Sequence, residues 1–102
     1  MDRRLKLHEE LCDILGSRNV YFQPPETVKM KYPCIVYERS DGDTQFANNM
    51  PYAFALRYTV TLIGADPDNP LIKKLAYGFE TCIYDRHFTS NNLNHEVFKI
   101  YY

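Results

Sequence analysis

The 102-residue chain has no tryptophan, only four glycines and three cysteines, and no excess of either charge. Each shortage removes a class of protein. Gly16, Gly42, Gly64 and Gly78 stand singly, so there is no glycine-rich loop of the kind that cradles a phosphate or dinucleotide. Cys12, Cys34 and Cys82 are odd in number and far apart, and each lies in an apolar context. That is the pattern of reduced cysteines acting as small core residues, not of a disulfide framework. No apolar run approaches the ~20 residues of a membrane span. Met1 to Arg4 leads into a charged amphipathic stretch and not into the apolar core of a signal peptide. A product of a reducing compartment with no membrane partner is expected.

Lysine and arginine total 12 against 13 acidic residues, a net charge of −1. The basic residues occur only in small groups: Arg3, Arg4 and Lys6; Lys29 and Lys31; Lys73 and Lys74. A sequence-independent nucleic-acid binder needs a concentration of positive charge to displace counterions, so this balance argues against one. What is plentiful is tyrosine and phenylalanine, nine and six residues. Tyrosine joins a large apolar body to a polar tip, which suits either a sheet core or a surface that is covered by a partner. The length and the ordinary hydrophobic and charged fractions fit one globular domain, 1–102, with a core of modest size.

Leu5, Leu7, Leu11, Cys12, Ile14 and Leu15 recur at helical spacing, and Gly16 follows as a stop, which predicts a helix over about 3–16. Val20 to Phe22 is a short β-prone piece ended by Pro24 and Pro25, and 23–32 reads as an extended connector. Pro33 to Arg39 is a predicted strand. Ser40 to Pro51, rich in Asp, Gly and Asn, is read as a long loop. Tyr52 to Ile63 alternates Phe54, Leu56, Tyr58, Val60 and Leu62 with Arg57, Thr59 and Thr61, the mark of a strand with one buried face. Asp68 or Asn69 can cap a second helix, with Pro70 in its first turn and an apolar stripe of Leu71, Ile72, Leu75, Ala76 and Phe79. Thr81 to Thr89 and Asn94 to Tyr102 read as a final hairpin turning at Ser90 to Leu93. The expected fold is α+β: a mainly antiparallel sheet of about four to five strands with two helices packed on one face.

Templates for chemistry find little. His8 and Cys12, four apart, have the spacing of a metal pair, but a core-facing cysteine with a bordering histidine explains them as well. His87 and His95 flank the last turn with Asp85 and Glu96 nearby, the raw material of acid–base catalysis, yet no nucleophile or oxyanion donor accompanies them. Hydrogen bonding that fixes the turn, helped by Asn91, Asn92 and Asn94, is the simpler role. Asp41 and Asp43 with Asn48 and Asn49 lack the spacing and the closing Glu of a calcium loop. No enzyme, cofactor or metal is expected.

The block 84–102 (YDRHFTSNNLNHEVFKIYY), together with 15–25 (LGSRNVYFQPP) and 31–37 (KYPCIVY), resembles the tail terminator (tail completion) proteins of long-tailed bacteriophages. The order and spacing of the blocks match along nearly the whole chain, although none is a catalytic signature. The resemblance implies a small, non-enzymatic α+β subunit located in the virion neck. Such subunits form a homo-oligomeric ring, generally a hexamer, that caps the tail tube, ends its polymerisation and meets the head connector protein. DNA passes through the lumen without specific binding. On this reading Asp41, Asp43, Gln45, Phe46, Asn48 and Asn49 of the polar loop contact the tail-tube protein or a neighbouring subunit. Tyr101 and Tyr102 anchor a last strand that pairs, at a sheet edge, with a neighbour. The alternatives are another neck ring such as a head-completion adaptor, a module stacking nucleic-acid bases on its aromatics, and a small hydrolase using His87 and His95.

Overall fold

A computed structural model describes residues 3–24, 29–47, 50–79 and 81–102. Helix α1 spans Arg3–Leu15 and ends at Gly16, whose φ of 79° is the left-handed turn that glycine adopts without strain. The Gly16 amide donates to the Cys12 carbonyl, closing the last turn. Leu7 and Leu11 are fully buried, Cys12 nearly so, and Ile14 and Leu15 flank them. Leu5 falls off this face and is exposed, because two residues along a helix turn it by about 200°.

Five strands form one sheet in the order β1-β2-β3-β5-β4: β1 Val20–Phe22, β2 Cys34–Ala47, β3 Met50–Gly64, β4 Cys82–Ser90 and β5 Leu93–Tyr101. Only the β1–β2 pair is parallel; the remaining pairs are antiparallel. The α+β architecture expected from the sequence is therefore present. Helix α2, Leu71–Tyr77, begins where the Asn69 side chain accepts the Leu71 amide at 2.9 Å, the capping role that its position predicted. Ile35, Tyr37, Tyr58, Val60, Leu62, Phe98 and Ile100 lie on one sheet face and form a single core with Leu7, Leu11 and Leu75 from the two helices. The buried Tyr37 hydroxyl accepts from Arg4 and is hydrogen-bonded to His8 Nδ1, 2.8 Å away, so its polar atom is satisfied inside that core. On the other face Cys34, Ile63 and Val97 are buried at adjacent register positions.

The largest departure from the sequence reading is at Ser40 to Pro51. The segment's described residues are strand and not loop: β2 runs on to Ala47 and β3 starts at Met50, with pairing continued from Asp41↔Arg57 to Ala47↔Met50. Asp, Gly and Asn are poor strand formers taken singly, but cross-strand pairing overrides so weak a preference. Polarity at successive positions signals the lack of a core to bury, and a two-stranded ribbon has no such need either. The second correction concerns β5. It lies between β3 and β4, so the free edge on that side belongs to β4, not to the last strand.

Candidate functional site: a hairpin arm and a free edge strand

Two features of the sheet lack a partner among the described residues. The first is the outer half of the β2–β3 hairpin. Strand β1 ends opposite Tyr37 and β5 ends at the Tyr101↔Arg57 rung. Beyond these points, among the described residues, β2 and β3 pair only with each other. The break is marked by a register shift between Arg39 and Asp41, where the Ser40 hydroxyl donates to the Arg57 carbonyl at 3.0 Å. An extra residue of this kind bends a strand and strengthens its twist, so it sets the angle at which the arm leaves the sheet. Six residues, Gly42 to Ala47, add ~20 Å at about 3.3 Å each. That length fits the 50 × 25 × 22 Å extents of the molecule.

The second feature is β4. Asn91 and Asn92, with φ of 52° and 62°, make the two-residue turn that joins it to β5. Positive φ at both central positions gives the tight hairpin whose twist matches its strands, and asparagine tolerates it. Every β4 residue except the half-buried Cys82 is exposed. Ile83, Tyr84 and Phe88 are exposed large hydrophobic residues carried on this one nine-residue strand. Long apolar edges pair readily with other chains, and natural edges are commonly blunted by charge or by bulges. Here a bulge falls between Tyr84 and Arg86, and Asp85 pairs with Arg86 at 3.1 Å. The remaining stretch to Ser90 holds a regular register with β5.

The one polar residue buried in the described part of the core, Glu96, holds β4 to β5. Its carboxylate is only 5% exposed and accepts a hydrogen bond from the Tyr84 hydroxyl. The His87 Nε2 atom lies 3.6 Å from its other oxygen and 3.1 Å from Asn94 Oδ1. Asn94 in turn donates to the Ala65 carbonyl at 3.2 Å. The hydrogen bond to Glu96, with lesser help from burial, pushes the Tyr84 phenol up to about 12. A phenol that keeps its proton to that pH does not exchange one near neutrality, and a carboxylate this enclosed leaves little room for a substrate. The cluster's chemistry is attachment.

The structure separates the two histidines that the sequence brackets around the turn. His87 stands opposite Glu96, on the helix-bearing face, whereas His95 stands opposite Phe88, on the other face, and its ring stacks on that phenylalanine at 4.6 Å. His95 Nδ1 also bonds to the Leu93 carbonyl. They fix the hairpin from opposite sides and cannot converge on one substrate. His8 is hydrogen-bonded through Nδ1 to Tyr37, and among the described residues no group of three potential metal ligands comes together.

Of the residues expected at an interface, Asp41, Asp43, Gln45 and Phe46 lie on the β2 half of the arm, while Asn48 and Asn49 are outside the described residues. Tyr101 lies under the Arg57 guanidinium, 4.9 Å from its ring centre. Tyr102 packs edge-on against Phe79 and bonds through its amide to the Leu56 carbonyl. Both tyrosines therefore finish the root of the arm and do not lie on an open strand edge. Sequence reasoning missed the Tyr84–Glu96 pair. Its residues are twelve apart, and only the hairpin register, with its bulge at Asp85, brings them together. Comparison of the chain with protein-family models, with curated proteins and with solved structures finds no match in any of the three.

Proposed function

We propose that this protein is a structural subunit of a self-assembling particle, one that forms a ring capping a phage tail tube and joining it to the head connector. The observation that carries the proposal is the arm: six paired rungs, Gly42↔Leu56 to Ala47↔Met50, that extend past the sheet without a third strand beside them among the described residues. An isolated two-stranded ribbon is marginal in water, so a ribbon of this length is best understood as one that is covered on assembly. The apolar β4 edge is a second, different patch. A ring needs two unlike surfaces on each subunit, repeated through a rotation that closes. The near-neutral composition also suits a lumen through which DNA slides without being held. Resemblance of the 15–25, 31–37 and 84–102 blocks to tail terminator proteins supplies the identity of the tube and the connector as partners.

The experiment is a phage particle assay with the tip of the arm removed. Expected are tails of uncontrolled length or tails without heads in electron micrographs. Normal tails joined to heads would overturn the assignment. Co-purification with tail-tube protein when heads are absent distinguishes a tail cap from a head-completion ring.

A further inference from the structure

Resting on the assembly reading above, we infer that the two unpartnered features are each other's partner between copies: the β2 half of one arm, Asp41–Ala47, adds as a strand to the β4 edge of a second copy.

Edge lengths and topology single out this pairing. The sheet has two outer strands, and β1, with three residues, is too short to hold a partner. Strand β4 has nine residues and the β2 half of the arm has seven; past the bulge at Asp85 the regular stretch Arg86 to Ser90 offers ~17 Å of ladder to it. Every residue from Asp41 to Ala47 carries an amide hydrogen, whereas Pro51 removes one from the opposite half of the arm. The β2 side is therefore the edge with a full set of donors. Pairing by strand addition draws its affinity from such main-chain groups.

The chain's own arm cannot reach its own β4. Cys82 lies opposite Ile100, next to the root of the arm, and the strand then runs away from the arm to Ser90 opposite Leu93. Two strands, β3 and β5, also separate β2 from β4. Contact between the two edges must be between molecules. Charge favours it as well. The segment 41–47 holds Asp41 and Asp43 and no basic residue, while on β4 the Arg86 side chain, paired with Asp85 at 3.1 Å, is still 65% exposed. Opposite charges facing each other across a ladder favour the register that joins them. Each pairing leaves an arm free on one copy and a β4 edge free on the other, so the contact repeats head to tail.

Two full-length variants test this. In one, residues 43–55 are replaced by Asn-Gly, which keeps the Gly42↔Leu56 pair, removes the arm and leaves β4 intact. In the other, Ile83→Glu and Phe88→Glu place charge of the arm's own sign on the edge at exposed positions and leave the arm intact. Sedimentation velocity over a concentration series is expected to show association of the native chain and monomers for each variant alone. An equal mixture, holding one good arm and one good edge, forms a dimer and nothing larger. Hydrogen exchange on the native chain gives a readout independent of any variant's folding. Amides of 41–47 and of β4 slow together, by about tenfold or more, between dilute and concentrated samples. Self-association of the armless variant, pairing β4 with itself, would overturn the inference. So would undiminished assembly of the edge variant, or a native chain that stays monomeric with unchanged exchange to its solubility limit. The particle assay separates the two claims. Dimerisation of the mixture without capped tails leaves the pairing standing and removes the tail role; capped tails with both variants active do the reverse.

Discussion

Replacing Tyr84 with Phe removes one hydroxyl and nothing else of consequence, and it tests whether the Glu96 cluster holds β4 in place. In the native chain the carboxylate, 5% exposed, accepts from Tyr84, with His87 3.6 Å from its second oxygen. Hydrogen bonds to charged groups contribute about 1.5–3 kcal/mol, and leaving a buried acceptor unmade costs a similar amount. Tyr84 is itself 47% exposed, so water can take up part of the lost bond. The expected loss is therefore the lower part of that range, about 1–2 kcal/mol. For a domain of this size each kcal/mol lowers the melting temperature by about 4–8 °C. Urea and thermal unfolding followed by circular dichroism at neutral pH measure it. Glu96→Gln and the double variant complete a cycle, whose coupling energy is expected at about 1 kcal/mol. The same bond carries a pH signature. The Tyr84 phenol is raised from 10.0 to about 12 in the folded chain. The folded state thus holds this proton more tightly than the unfolded chain does. The bond's contribution is complete below pH 10.0 and is lost as pH rises towards about 12, where a phenolate would face the carboxylate. Tyr84→Phe should flatten that part of the stability profile. A loss under about 0.5 kcal/mol, the range of ordinary surface changes, together with zero coupling would refute the attachment role.

The remaining predictions concern the body of the molecule. A Cβ on Gly78 would come within 2.6 Å of the Lys74 carbonyl oxygen and 3.0 Å of Ile14 Cδ1, where α2 approaches α1. Gly78→Ala should therefore cost about 1–3 kcal/mol in urea unfolding, whereas a neutral outcome would mean that the two helices shift freely. Burial, with the Arg18 charge next, lowers the His8 pKa below 6.5. Its neutral form favours folding, so stability should fall as pH drops below 6.5, and His8→Gln should reduce that fall. All three cysteines are free thiols, Cys12 and Cys34 buried and Cys82 half-buried. Burial pushes the Cys34 thiol up to about 11. Native-state labelling with a thiol reagent should reach Cys82 first, and peptide mapping that finds Cys34 modified as quickly would contradict the fold around it.

Much of the secondary structure is legible from periodicity. Helix α1 is visible because Leu7, Leu11 and Cys12 repeat every three to four residues, and these are the residues it buries. Strand β3 is visible at Leu56, Tyr58, Val60 and Leu62 because one face meets a core and the other does not. The last turn is visible in Asn91 and Asn92, whose side chains accept the backbone angles that a tight hairpin demands. The arm was hidden for the opposite reason. Patterning reports burial, and Gly42 to Ala47 pairs with a strand that has no third element beside it among the described residues, so its composition is indistinguishable from that of a loop.

The candidate site divides in the same way. Aromatic excess and the polar stretch at 41–50 raised the expectation of a covered surface, which enters the proposed function and which residue chemistry alone leaves open to a sheet core as well. Which edge is open is a matter of strand order. Nothing local in 93–101 tells whether that strand lies outside the sheet or between two neighbours, because both positions accept the same alternating residues. Likewise Glu96 in isolation is one more charged residue; the hairpin register and the bulge at Asp85 bury it and set Tyr84 against it. The sequence by itself determined the helices, the core-facing strand positions and the turns, since these depend on the side chains of near neighbours. Only the tertiary structure decided the arm, the β4 edge and the Tyr84–Glu96 bond, because each depends on which distant strand lies alongside.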